Sequence, residues 1–286
     1  MKQELRKGSK MKIRLIVIVL CGIIAIICAF FLTGNRVALY VDQDTAARKY
    51  MEQGDYPKAM AAMLDFYEST FTENYEAHRG ARNTYGTRTW KELSSLYPPA
   101  AIKMREIRDA KELALRSGDV TNIPFDPEFI ARRNPEGSKE ATNALIAEAM
   151  FRDVVGLSEA LDETPRAIAL FEFMEKNHPR LAKGMWWPIR KIIMTERRYD
   201  IASRHIPDIY AAYQSHEARL NSRDRSRDVY EQIFTDDVKE LLRMAVATGQ
   251  TEAAEKIAAD ADKMVPNSNF EGFRKNISEN QTAVTE

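Results

Sequence analysis

Apolar residues fall into two patterns along this chain. From Leu15 to Leu32 they run unbroken, LIVIVLCGIIAIICAFFL, eighteen residues without a charge or a proline. From Thr45 onward they recur every three or four positions with charged residues between, the period of an amphipathic helix. A helix of eighteen residues covers ~27 Å, close to the ~30 Å hydrocarbon layer of a bilayer. The first pattern therefore predicts a transmembrane helix over residues 13–33, after a basic tail at 1–12 and before a linker at 34–44. The second predicts helix nearly throughout, because runs of alternating Val, Ile and Thr are missing and no Asn-Gly or Asp-Gly hairpin signal occurs.

The flanks of the apolar run set its orientation. Lys2, Arg6, Lys7, Lys10, Lys12 and Arg14 precede it against the single acid Glu4. That excess places the N-terminus in the cytoplasm and the rest of the chain outside it. A cleaved signal peptide is the rival reading. It is disfavoured by the length of the apolar core and by the absence of a small-x-small cleavage site after it. Cys21, Ala25, Ala29 and Thr33 lie four apart, a spacing that lets two membrane helices approach and self-associate.

The helical part is punctuated into hairpins. Ala46, Ala47, Tyr50 and Met51 keep helical spacing up to the turn Gly54-Asp55-Tyr56. Pro57 suits a first helical turn and opens a second helix with a stripe at Ala59, Met60, Met63, Leu64 and Tyr67. Ala47, Tyr50, Gly54, Asp55, Tyr56 and Ala59 resemble the middle of a tetratricopeptide repeat. In that family a tyrosine and small residues fill the gap between two antiparallel helices. Met63 and Phe66 depart from the family's pattern.

Pieces of the signature return three times. Thr164-Pro165 is followed by Ala167, Phe171 and Pro179. Trp186, Tyr199 and Ala202 follow, although Pro207 should end the second helix of that unit. The last unit carries Leu241, Leu242, Ala245, Gly249, Thr251, Ala254, Ala258, Ala261 and Pro266. The resemblance implies an all-α fold, an α-solenoid of tetratricopeptide-like helical hairpins over residues 45–266, with an irregular helical bundle as the alternative. The polar stretch 267–286 is expected to be a flexible tail.

The middle is less regular. Tyr75 to Tyr97 reads as one helix, and Pro98-Pro99 ends it and starts another. Ser117 to Lys139 is punctuated by Gly118, Pro124, Pro127, Pro135 and Gly137 and reads as a long loop with a short helix from Pro127. Loops of that length are either functional or plain surface insertions.

Charge and chemistry narrow the function. The chain carries 42 basic and 42 acidic residues; beyond residue 34 the balance is 36 to 41, mildly acidic, which argues against a nucleic-acid partner. Both cysteines, Cys21 and Cys28, fall in the apolar run, so the rest has no disulfide and no thiolate metal site. The histidines are His78, His178, His205 and His216. His216-Glu217 starts like a zinc-protease motif, but the second ligand would fall on Leu220. No phosphate-binding glycine loop and no nucleophile elbow occur, and no cofactor or metal is expected.

These features predict a protein anchored in a cell inner membrane whose periplasmic helical domain binds a protein or peptide partner. The resemblance implies scaffolding or adaptor work rather than catalysis. Trp187, Tyr210 and Tyr213 are the expected partner contacts, since aromatic side chains carry much of interface energy. The alternative is a membrane-tethered envelope enzyme working through carboxylates that the sequence does not single out.

Overall fold

Proline and glycine punctuation in the sequence coincides with most joints of the fold. The computed structural model describes residues 45–222 and 227–285, and among them regular structure is helical, with no strand. None of the described helices is long and apolar enough to cross a membrane. The stretch 13–33 lies outside the described residues, and with it the expected anchor, its orientation and its self-association face. The chain divides into two compact units, one ending at Glu163 and one beginning at Thr164.

The first unit opens with α1, described over residues 45–52, and α2, Tyr56–Thr72. Gly54 turns the chain between them at φ 73°, a conformation that favours glycine. Asp55 caps α2 by accepting from the Lys58 N–H. Ala47 and Ala59, both fully buried in one cluster with Met63, Trp90, Leu93 and Met104, let the two helices pack closely.

The helix expected from Tyr75 to Tyr97 is present to Leu96, but it is not evenly wound. α3, Tyr75–Ala81, passes through a π-helical segment, Arg82–Gly86, into α4, Thr87–Leu96. Such wide turns release backbone groups from the regular ladder. Here the Arg82 carbonyl accepts from the Tyr67 hydroxyl at 3.5 Å and the Thr87 hydroxyl at 3.2 Å. Gly86 ends the segment where a Cβ would stand 2.7 Å from the Phe66 ring. α5, Pro98–Ser117, packs on α4, and α7, Lys139–Ala160, packs on both.

The loop between α5 and α7 is tied into the core rather than laid over the surface. It contains α6, Pro127–Arg133, capped by Asp126. The Asp126 carboxylate also accepts from the Tyr75 N–H at 2.7 Å. Phe125 packs its ring 4.9 Å from those of Phe71 and Tyr75, and Phe129 lies 5.3 Å from Tyr75.

The second unit runs α8, Thr164–Asn177; α9, Pro179–Ala182; α10, Trp186–Thr195; α11, Tyr199–His205; α12, Ile209–Asn221; α13, Arg227–Ala247; and α14, Thr251–Met264. α11 stops before Pro207, as the missing N–H requires. α8 packs on α10, α10 on α11, α11 on α13, and α13 on α14. Ala245, Ala254, Ala258 and Ala261 are fully buried between the last pair, and Gly249 at φ 72° turns the chain between them.

The stretch expected as a flexible tail is helical. α15, Phe270–Thr285, packs on α13 and α14. Asp262 accepts from the N–H groups of Phe270 and Glu271, at 2.7 and 3.1 Å, and Phe270 is fully buried. Overall polarity hides these two anchors: one carboxylate placed as a cap and one ring placed in a core.

Candidate functional site

Each unit holds a cavity with charged side chains. In the first unit α2 and α5 stand apart over a space of about 480 Å³, walled by Leu64, Phe71, Ile107 and Met150 and bounded by Ile123 and Pro124 of the long loop. The π-helical segment supplies Arg82 to it. The guanidinium grips Asp153 of α7 through Nε on Oδ1 at 2.7 Å and Nη2 on Oδ2 at 2.8 Å. Nη1 donates to the Tyr67 carbonyl and, at 2.6 Å, to the Thr70 hydroxyl. Lys111 of α5 sets its ammonium 3.0 Å from the same Asp153 Oδ2 and 3.6 Å from the centre of the Phe71 ring.

Two cations thus share one carboxylate among apolar walls. Burial opposes the charge on Asp153, but Arg82 and Lys111 outweigh it and hold the carboxyl below its ordinary range. Burial opposes the Arg82 charge too, and Asp153 more than restores it. For Lys111 burial wins over Asp153 and the pKa is lowered. Tyr67, under the Arg82 guanidinium, is pushed up to about 12 by burial.

In the second unit a space of about 420 Å³ is bordered by Trp186, Trp187, Arg190, His205 and Pro207. Trp186 is core: its indole stacks on His205 at 4.5 Å, and His205 Nε2 meets Glu175 at 2.7 Å. Trp187, the next residue, is 66% exposed. Arg190, one helical turn on, places its guanidinium 5.9 Å from the Trp187 ring. Its Nη2 lies 3.4 Å from Asp237 and 3.6 Å from Glu240, while its Nε is buried with no hydrogen-bond partner. His216 Nδ1 meets Asp237 at 2.8 Å. Burial would raise Asp237, but His216 and Arg190 hold it below its ordinary range; Glu240, by contrast, is raised by burial.

In comparisons with known proteins, no family profile, no curated protein and no solved structure matches this chain.

Of the three expected partner contacts, Trp187 stands in the open. Tyr210 is half-buried, donates its hydroxyl to Asp260 at 2.9 Å and lies under the Lys256 ammonium at 3.9 Å. Tyr213 is fully buried, so its assignment as a surface contact is corrected: on α12 it falls on the face turned to α13, with Phe234 6.0 Å away. Neither tyrosine borders the cavity beside Trp187. Among the described residues no group of three or more His, Cys, Asp or Glu side chains is arranged to hold a metal ion.

The Arg82–Asp153–Lys111 cluster escaped sequence reasoning. Its members are 71 and 42 positions apart, on three helices, and each one read alone is an ordinary helix charge. One signal was present. Two of the three fall at positions that the apolar stripes of their helices would otherwise fill, Lys111 between Ile107 and Ala114 and Asp153 between Met150 and Leu157.

Proposed function

We propose that this chain is a membrane-anchored interaction module. Its tetratricopeptide-like hairpins hold a peptide segment of a partner protein, and it is not a catalyst. The observation that carries this reading is Trp187, an indole two-thirds exposed beside a cavity and beside a buried, unpartnered N–H of Arg190. An exposed aromatic face next to a donor suits a peptide. An apolar or proline side chain lies on the indole, and a carbonyl or carboxylate oxygen accepts from Arg190. The buried alanines at Ala47–Ala59, Ala167, Ala202 and Ala254–Ala261 support the repeat-like reading, and the charged flank before Leu15 supports a cytoplasmic N-terminus with a periplasmic domain.

A displayed library of random peptides, selected against the full-length protein, tests the docking. Selected peptides should lose at least tenfold in affinity to Trp187→Ala while its far-UV circular dichroism stays unchanged. Trp90 and Trp186 are buried, so binding should shift the emission of the exposed Trp187 to shorter wavelength. Peptides that bind Trp187→Ala equally well would overturn it. Protease protection in spheroplasts checks the orientation.

A second reading rests on Asp237 and Glu240. These neighbouring carboxylates share Arg190 and have pKa values moved in opposite directions, the pattern of an acid and a base in an enzyme. Turnover of an envelope substrate abolished by Glu240→Gln would favour it over peptide docking.

A further inference from the structure

The cavity of the first unit has a charge imbalance at its floor. Arg82 and Lys111 bring two positive charges, and Asp153 returns one negative charge. Both Asp153 oxygens are already occupied: Oδ1 takes Arg82 Nε, and Oδ2 takes Arg82 Nη2 and Lys111 Nζ. Lys111 has three N–H donors; one reaches Asp153, and the ammonium otherwise rests against the Phe71 ring and borders the cavity. The mouth does not correct the imbalance. Lys103 there is bonded to Glu106 at 2.9 Å and Glu68 is exposed, so both act through solvent, where charge is screened. A partly buried charge that has only a share of one counterion is costly until a further partner arrives.

We propose that this cavity binds a single-chain carboxylate amphiphile. The carboxylate accepts from Lys111 at the floor, and the hydrocarbon chain lies between α2 and α5 against Leu64, Ile107, Ile123 and Met150. The volume, about 480 Å³, lies in the range of small-molecule sites. The charge decides the head group. One negative charge neutralises the floor, whereas a phosphate monoester, with nearly two, would leave a buried excess of the opposite sign. An alcohol head would leave the ammonium uncompensated. The loop after α5 then has a use: Ile123 and Pro124 bound the space, and the Phe125 and Asp126 contacts hold them there.

Equilibrium dialysis of the full-length protein against dodecanoate, dodecanol and dodecyl phosphate tests this. Dodecanoate should bind saturably, at one molecule per chain and at least tenfold tighter than either of the others. Lys111→Met, which keeps the apolar stem, should cost dodecanoate at least tenfold and leave dodecanol unchanged. Lys111→Arg should restore most of the preference. Ile107→Trp, which fills the space, should remove the saturable component for every probe and so exposes uptake elsewhere in the protein or in detergent. Circular dichroism of each variant establishes folding. Equal binding of acid and alcohol, indifference to Lys111→Met, or a saturable component that survives Ile107→Trp would each overturn the proposal. The peptide site lies in the other unit, so its variants leave this result untouched.

Discussion

Arg82 and Asp153 meet side-on, two parallel hydrogen bonds of 2.7 and 2.8 Å between a guanidinium and a carboxylate that are both sealed from water. The pair joins the π-helical segment to α7, and Lys111 of α5 makes it a triad. Such groups are costly to bury and far costlier to break one-sidedly.

The triad predicts an order of damage. Asp153→Asn leaves a buried guanidinium and a partly buried ammonium without their shared counterion and should cost the most, about 3–5 kcal/mol. Arg82→Met leaves Asp153 still paired with Lys111 and should cost less. Lys111→Met leaves the bidentate pair whole and should cost least. Urea unfolding of the three variants, followed by circular dichroism, gives the ranking. Equal losses would mean that the three charges do not act together.

Acid should reach the first unit through the same carboxylate. The folded pKa of Asp153 lies below its ordinary 3.8, so the unfolded chain binds the proton more readily. The stability it contributes is complete above about 3.8 and is lost as pH falls through the lower folded value. Asp153→Asn should therefore flatten the acid limb of the stability profile, and an unchanged limb would contradict the ion pair.

Two glycines on one rod should respond oppositely to a methyl group. At Gly86 a Cβ would lie 2.7 Å from the Phe66 ring, so Gly86→Ala forces α2 and the π-helical segment apart and should cost about 1–3 kcal/mol. At Gly80, exposed and with nothing within 4 Å, Gly80→Ala should stabilise by about 0.5–1 kcal/mol. Thermal melts of the two variants should move in opposite directions.

Tyr213 predicts a gain from a loss. Its hydroxyl is buried with no hydrogen-bond partner, and burial pushes its pKa up. Tyr213→Phe removes an unsatisfied group and keeps the ring against Phe234. Stability should hold or rise by up to about 1 kcal/mol, read from the urea midpoint.

Local signals were legible and relational ones were not. Pro57, Pro98, Pro127 and Pro165 mark the starts of α2, α5, α6 and α8, and Gly54 and Gly249 mark turns at positive φ. Each acts on its own backbone, so the sequence shows it. The alanines at Ala47 and Ala59 were legible because a hairpin brings near neighbours together. Tyr213 was misread because an aromatic on a helix has the same spacing whether its face is covered or bare. The cluster at Arg82 was missed because a buried charge differs from a solvated one only by partners far along the chain. α15 was missed because one cap and one ring outweigh a polar average.

The wide turn at Arg82–Gly86 has a consequence for descent. It accommodates one residue more than an evenly wound rod and rotates everything beyond it by about 100°. Tyr75 on one side, against Phe71 of α2, and Trp90 and Leu93 on the other thereby meet different neighbours along a single rod. A relative without that residue would carry a plain α-helix here and could not hold Arg82 in the same grip. Aligned against this chain it should show a one-position gap between Ala81 and Thr87, and the same relative should have lost the acid at position 153.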